Sequence, residues 1–460
     1  MGPTEALAAF AVGMDGRSMP VAAVHNTRRA ILDCLGVALA GSLEPAARIV
    51  TDQVLSQGGT NESTIWGRSA ATRCTAQGAA LANGTAAHVL DYDDYIHAMP
   101  GHPSVPILPA VIAVGERTGA SGMDVLSAFA VGFEVEAKLG TFSGSECYDV
   151  GWHPSGTLGV IGAAAAVGRL LGLDVEKMRC AIGIAVSMAS GVRQNFGTMT
   201  KPFHLGMAAQ SGILAAELAQ RGFTASPVAI EGRFGFWDVF AGALNRDGDE
   251  LARVLGSPFE SVSPGVNFKA WPCCASTFGG IDAALKLPRG LTDEAIECVN
   301  VEVPYMVPML LIHHRPTAPL AAKFSLEYCV SVALLDGQVN LRHFLQETVD
   351  RPDLQSLLRR VEYCVPAEWE KGAGPYKGGH ARVEVKLRDG GILRAETMVP
   401  KGDAANPMAD DELEAKFLDC AAVVLGKAQA AETLELVRSL EHLQDVRCLT
   451  EKLIPTAQSR

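Results

Sequence analysis

Several things that usually decide a function are missing from this chain. Its eleven cysteines are scattered, among them Cys34, Cys74, Cys147, Cys180 and Cys298, with one adjacent pair, Cys273 and Cys274. No CxxC spacing occurs, which argues against a disulfide framework or a zinc cluster and for a reduced intracellular protein. There is no surplus of positive charge: the formal net charge is −12. Nucleic acid and anionic membrane both need a cationic face, so neither is expected as a partner. No apolar run reaches bilayer-spanning length, the longest being interrupted by Arg169 or Asp91. The N-terminus lacks a basic region and cleavage site, and Ala6 stands where a myristoylation signal wants Ser or Thr. The chain is therefore expected to be cytoplasmic. HExxH, GxxxxGK[ST] and GxSxG are all absent. The glycines of GTLGVIGAAAAVG follow no predicted strand, so a dinucleotide fold is not expected.

What is present is a polypeptide of 460 residues, 48% hydrophobic and 20% charged, large enough for two or three domains. Up to about residue 260 it reads as helix after helix, with no βαβ alternation. HNTRRAILDCLGVALAG has apolar residues at helical spacing and ends on Gly41, and Ser121 is placed to cap the helix that follows it. GTLGVIGAAAAVGRLLGL reads as a buried helix closed by Gly172. Beyond about 260 the texture changes. ECVNVEVPYMV alternates like a strand, and ARVEVKLRDGGILRAETMVP reads as two strands joined at Arg388-Asp389-Gly390-Gly391. Helices accompany them at STFGGIDAALKL and AKFSLEYCVSVALLDG, and helices resume from Asp410. These textures read as a mainly α protein with a second, α+β domain, and the helical tail could return to pack on the first domain.

One stretch is chemically dense. In NGTAAHVLDYDDYIHAMPGHPSVPILP, three aspartates (Asp91, Asp93, Asp94) and three histidines (His88, His97, His102) fall within fifteen positions. Burying such groups beside a core is costly unless each is paired. Further polar groups sit in what read as short loops bounded by Gly and Pro: His153 in GWHPSGT; Arg193, Lys201 and His204 in VRQNFGTMTKPFHLG; Lys269, Cys273 and Cys274 in NFKAWPCCAS; His313, His314 and Arg315 in LIHHRPTAP. Imidazoles, ammoniums, a guanidinium and carboxylates together suit proton transfer beside a carboxylate, where cations stabilise an enolate-like dianion and a near-neutral base takes the proton. Plainer roles compete. His88 (placed mid-helix), His25 and His343 read as structural, Asp93 and Asp94 as helix caps, and Cys274 as an inert thiol. Asp91, Asp93, Asp94, His97 and His102 could also ligate a divalent metal, although no spacing matches a known loop motif.

The blocks NGTAAHVLDYDD, GHPSVPILPAVIAVGE, GWHPSGTLG, NFGTMTKPFHLGMAAQSG, KAWPCC and AKFSLEYCVSVALLDG occur in an order that resembles the MmgE/PrpD family across nearly the whole chain. The resemblance implies a homodimer of two-domain subunits, each a large all-helical domain, 1–264 with 409–460, plus a smaller α+β lid domain, 265–408, that needs no organic cofactor; no metal is expected either. It implies chemistry on a small polycarboxylate: 2-methylcitrate dehydration, cis-aconitate decarboxylation or iminodisuccinate epimerisation. Carried over residue by residue, it makes His102 the general acid/base, assisted by His153. Lys201 and Lys269 hold substrate carboxylates, and Asp91 orients or charges the neighbouring imidazole. Tyr95, Arg193, Cys274 and Arg315 complete the expected substrate-binding set. Three positions depart from the family's decarboxylases: Tyr95 replaces Thr, Cys274 replaces His and Ile312 replaces Tyr. The expected activity is accordingly a hydro-lyase on a di- or tricarboxylate, ahead of a dicarboxylate epimerase, in which Cys274 would be a second acid/base. A decarboxylase or a catalytically silent binding protein follows.

Overall fold

The computed structural model describes residues 1–68, 72–242, 246–371 and 379–456. The chain divides into two compact units, Met1–Phe268 with Ala409–Arg460, and Lys269–Met408. Mainly helical structure with small mixed sheets is the observed class.

Six helices of the first unit position its polar cluster: α1 (Val21–Gly41), α2 (Ala76–His88), α3 (Ser104–Thr118), α4 (Gly122–Ser143), α5 (Gly159–Leu170) and α6 (Thr200–Gln220). Their ends follow local chemistry. Thr75 caps α2, its side chain accepting from the Gly78 amide, and Ser121 and Asp124 form a reciprocal capping box on α4. Helix α6 packs most extensively on α2 and then on α5. Small residues set those distances. A Cβ on Gly84 of α2 would meet the Cα of Gly206 of α6 at 2.8 Å, so these two backbones approach as only glycine allows. That crossing brings the C-terminal end of α2 toward the N-terminal end of α6.

The sequence reading placed Lys201 and His204 in a loop. They lie instead in the first turns of α6. Pro202 suggested a break, but in the first turn of a helix its missing N–H has no intrahelical acceptor to lose, and its fixed φ suits the helix. Conversely, GTLGVIGAAAAVGRLLGL divides into a single turn, Pro154–Thr157, and α5.

In the second unit, α7 (Phe278–Leu285) and α8 (Leu326–Asp336) pack together, and α7 lies on a four-stranded sheet. The strands are β1 (Ile296–Glu302), β2 (Val361–Cys364), β3 (Ala381–Leu387) and β4 (Ile392–Thr397), in the order β2-β1-β3-β4. Pairing is parallel for β1 with β2 and antiparallel elsewhere. The β3–β4 hairpin turns where Arg388–Gly391 predicted, with Gly390 at φ 90° and Leu387 N donating to Gly391 O at 2.8 Å. Alternate residues Val299, Val301, Val383 and Val385 are buried, the period-2 pattern of a half-covered sheet.

The chain then returns to the first unit through α9 (Asp410–Leu425), which packs on α1. Its buried Lys416 pairs with Asp33 of α1 at 2.6 Å and donates to Tyr92 O at 2.7 Å, so a C-terminal side chain braces the loop after α2. No single helix among the described residues is long and apolar enough to cross a membrane.

Candidate active site

The loop between α2 and α3 begins with an unusual backbone. Asp91 has φ 51°, and its amide donates to His88 O at 3.0 Å. It therefore ends α2 in the left-handed conformation usually left to Gly or Asn. The turn sends the Asp91 side chain to Lys201 Nζ, 2.6 Å away. Asp91 is 4% exposed and Lys201 5%, so this is a buried ion pair, in which each charge depends on the other.

His102 sits just ahead of α3. Its amide donates to Ser155 Oγ at 2.9 Å. Its Nδ1 lies 2.8 Å from Asp94 O and 3.1 Å from Asp93 Oδ2, and its Nε2 lies 3.8 Å from Asp91 Oδ1. Asp94 binds the start of α3 from the loop: its carboxylate takes the Ser104 hydroxyl at 2.5 Å and the Ser104 amide at 3.4 Å. Asp93 is not a cap. Its two oxygens lie 2.9 and 2.8 Å from His88 Nδ1. His88 is not mid-helix either. It is the last residue of α2, with its ring edge-on to that of His102 at 4.4 Å between centroids.

His153 precedes the single turn Pro154–Thr157 and is fixed by its amide, which donates to Gly191 O at 3.0 Å. Its Nδ1 faces His204 Nδ1 at 3.1 Å, and its ring lies 6.1 Å from that of His88. One buried neighbourhood thus contains Asp91, His102, His153 and Lys201, together with His88, Asp93 and His204. For the last three the available signal was spacing: His88 and Asp93 are five residues apart across a helix end, and His204 is one helical turn after Lys201.

Burial and charge assign protonation states here. Burial lowers the His88 pKa to about 3, with Lys201 and His102 adding to the effect against Asp93. Burial, then Lys201 and the neighbouring imidazoles, hold His153 well below the usual histidine range. His204 is lowered to about 4 by burial and by Lys201. Burial opposes ionisation of Asp93, yet His102 and His88 together hold its carboxyl well below the ordinary range. Asp94 moves the other way, raised by burial and by Asp33.

The remaining candidates are placed as follows. Tyr95 pairs with Asn267 through its backbone, N to O at 2.9 Å and O from N at 3.0 Å. The Arg193 guanidinium donates to Tyr148 O at 2.8 Å and lies 3.8 Å over the Tyr148 ring. In the second unit, Lys269 is 1% exposed, Cys274 is half-buried with its amide donating to Lys323 O at 3.0 Å, and Arg315 is exposed. The thiol with a lowered pKa is the neighbouring Cys273: burial would raise it, but contacts with Cys329 and Thr277 and the charges of Lys323 and Lys269 prevail. All eleven cysteines are free thiols.

A ring nitrogen each from His88 and His102 and a carboxylate oxygen of Asp91 lie within 4.8 Å of one another. The Lys201 ammonium already neutralises Asp91, so a dication would have to displace it. A separate surface cleft of about 240 Å³ holds His25, Arg28, Arg29 and Arg438 beside Asp410 and Glu414, and none of the candidate residues.

With that geometry in place, comparison with known families is decisive. The MmgE/PrpD N-terminal domain matches residues 5–247, and the MmgE/PrpD C-terminal domain matches residues 271–442. The chain belongs to the MmgE/PrpD family. It is 29% identical to the cis-aconitate decarboxylase of Mus musculus over 98% of this chain and 93% of that protein. The cis-aconitate decarboxylase of Homo sapiens is also 29% identical, over 98% and 94%. That of Aspergillus terreus (strain NIH 2624 / FGSC A1156) is 28% identical, over 82% and 80%. This MmgE/PrpD member is thus an enzyme of lyase type.

Proposed function

We propose that this MmgE/PrpD protein is a cofactor-independent lyase that eliminates water from a di- or tricarboxylate by proton transfer at a carbon beside a carboxylate. The observation that carries the reading is the buried meeting of His102, which has a fixed Nδ1, with the Asp91–Lys201 pair. His102 Nε2 takes the proton. Charge that develops on the substrate carboxylate as an enediolate is stabilised by Lys201, because fixed cations in a dry site act most strongly where charge appears; Lys269 is proposed, from the family match, as a further holder of a substrate carboxylate. The proton taken up by His102 Nε2 is passed to the leaving hydroxyl, which departs as water, so His102 returns to its starting form. His153, neutral and backed by His204, serves as a hydrogen-bond partner. Tyr95, Arg193, Cys274 and Arg315 are the further residues proposed for substrate recognition. We propose a homodimer and a cytoplasmic location for the same protein.

Decarboxylation is the second reading, favoured by relatives named cis-aconitate decarboxylase over nearly the full length. Against it stand Tyr95, Cys274 and Ile312, where the family's decarboxylases carry Thr, His and Tyr. Incubating purified protein with citrate-like, aconitate-like and aspartate-derived acids, with products read by mass spectrometry, decides. Loss of water supports the leading proposal and loss of CO2 the second. Unchanged mass with an inverted stereocentre makes it an epimerase, and inertness toward every such acid overturns the reading.

A further inference from the structure

Asp93 takes no part in the chemistry described so far, yet it is 0% exposed, and His88 is 1% exposed. Keeping an ionised carboxylate there is costly unless its oxygens are filled. Two imidazoles fill them: His88 Nδ1 lies within 2.9 Å of both oxygens, and His102 Nδ1 lies 3.1 Å from Oδ2. An ionised carboxylate only accepts hydrogen bonds, so each Nδ1 that faces it carries the proton. For His102 the conclusion is doubly fixed, because the other neighbour of Nδ1 is the carbonyl oxygen of Asp94 at 2.8 Å, also acceptor-only. Nε2 is then the one position of His102 that can gain or lose a proton toward a substrate, and it faces Asp91.

We infer that Asp93 is the positioning carboxylate of His102, and that His88, by donating to the same carboxylate, is a second positioning residue that sets how much of its charge His102 feels. The inference rests on the proposed role of His102 in proton transfer. Charged and titratable groups around His102 come from every neighbouring element: His88 at the end of α2, Asp91 and Asp93 in the loop, His153 before α5, and Lys201 of α6, whose charge reaches His88 and His153. Among these, Asp93 alone contacts both imidazoles at Nδ1. His88 therefore acts through a shared acceptor. Removing its N–H leaves the whole carboxylate charge to His102 and favours the imidazolium; removing the carboxylate does the reverse.

Opposite substitutions test this. Asp93→Asn is expected to lower kcat at least about 100-fold, the scale of general acid–base catalysis, with KM changed far less, and to move the His102 limb of the pH–rate profile to lower pH. His88→Leu removes the donor and is expected to move that limb the opposite way, to higher pH. His88→Asn, whose amide can donate from the place of Nδ1, is expected to restore it. A merely structural role would lower the melting temperature in all three and leave the limb in place, which overturns the inference. A second readout needs no substrate: ¹⁵N NMR of histidine-labelled protein, with His102 assigned by its loss in His102→Gln. It should show the Nδ1–H tautomer in the wild type and in Asp93→Asn, where Asp94 O still accepts from Nδ1, with the titration of His102 moved to lower pH in the variant. If no polycarboxylate turns over while the NMR result holds, the proposed function fails and the positioning stands. If turnover occurs but His102 titrates alike in all variants, the inference alone fails.

Discussion

Asp91 bears two costs at one position. Its backbone is left-handed, a strain of order 1–3 kcal/mol for a residue other than glycine, and its carboxylate is buried against a buried ammonium. Breaking such a pair from one side leaves an uncompensated charge, worth about 3–5 kcal/mol, while replacing both partners costs far less. Asp91→Asn keeps the tolerance for a left-handed backbone but not the charge, so it should destabilise the fold by that amount. Lys201→Met should do the same. The double variant should recover much of the loss in chemical denaturation yet show no turnover, because the pair is electrostatic machinery as well as structure. Additive losses in the double variant would show that the two residues do not depend on each other.

At the scale of elements, α4 holds an anomaly. Glu136 is 0% exposed, and among the described residues neither of its oxygens has a hydrogen-bond partner. Burial, reinforced by Asp94, raises its pKa well above 4.5. A raised folded-state pKa gives a stability contribution that is complete below the unfolded pKa and is lost as pH rises through the folded one. Glu136→Gln removes that dependence. Its melting temperature should match the wild type near pH 4.5 and exceed it increasingly toward higher pH; parallel curves would contradict a protonated Glu136. The element scale also shows what the sequence revealed. Periodicity and turn residues marked α1, α4 and the β3–β4 hairpin, because each is specified by its own neighbours. The start of α6 was hidden by Pro202, whose tolerance depends on a helix boundary that cannot be seen locally. His88 looked structural because its partner, Asp93, is reached only after α2 ends and the backbone turns through Asp91. Asp91, His102, His153 and Lys201 were named from family blocks, and their meeting depends on the close α2–α6 crossing at Gly84 and Gly206.

For the whole molecule, the proposed homodimer has a physical motive. Val150, Phe223, Phe234 and Val239 are 72, 58, 75 and 55% exposed, so each offers an apolar side chain that a second copy would cover. Light scattering should return about twice the 48.4 kDa of one chain, and Phe223→Ser with Phe234→Ser should shift the population toward monomer. A monomer at every concentration would refute the proposal. The central claim concerns chemistry: a buried imidazole, held in one tautomer beside an ion pair, moves a proton at carbon next to a carboxylate. The most direct measurement is proton NMR of a converted polycarboxylate in heavy water, with wild type and His102→Ala side by side. The wild type should exchange or transfer hydrogen at the carbon beside the carboxylate, and the variant should leave that position untouched while remaining folded. Equal rates at that carbon in the two proteins would contradict the account.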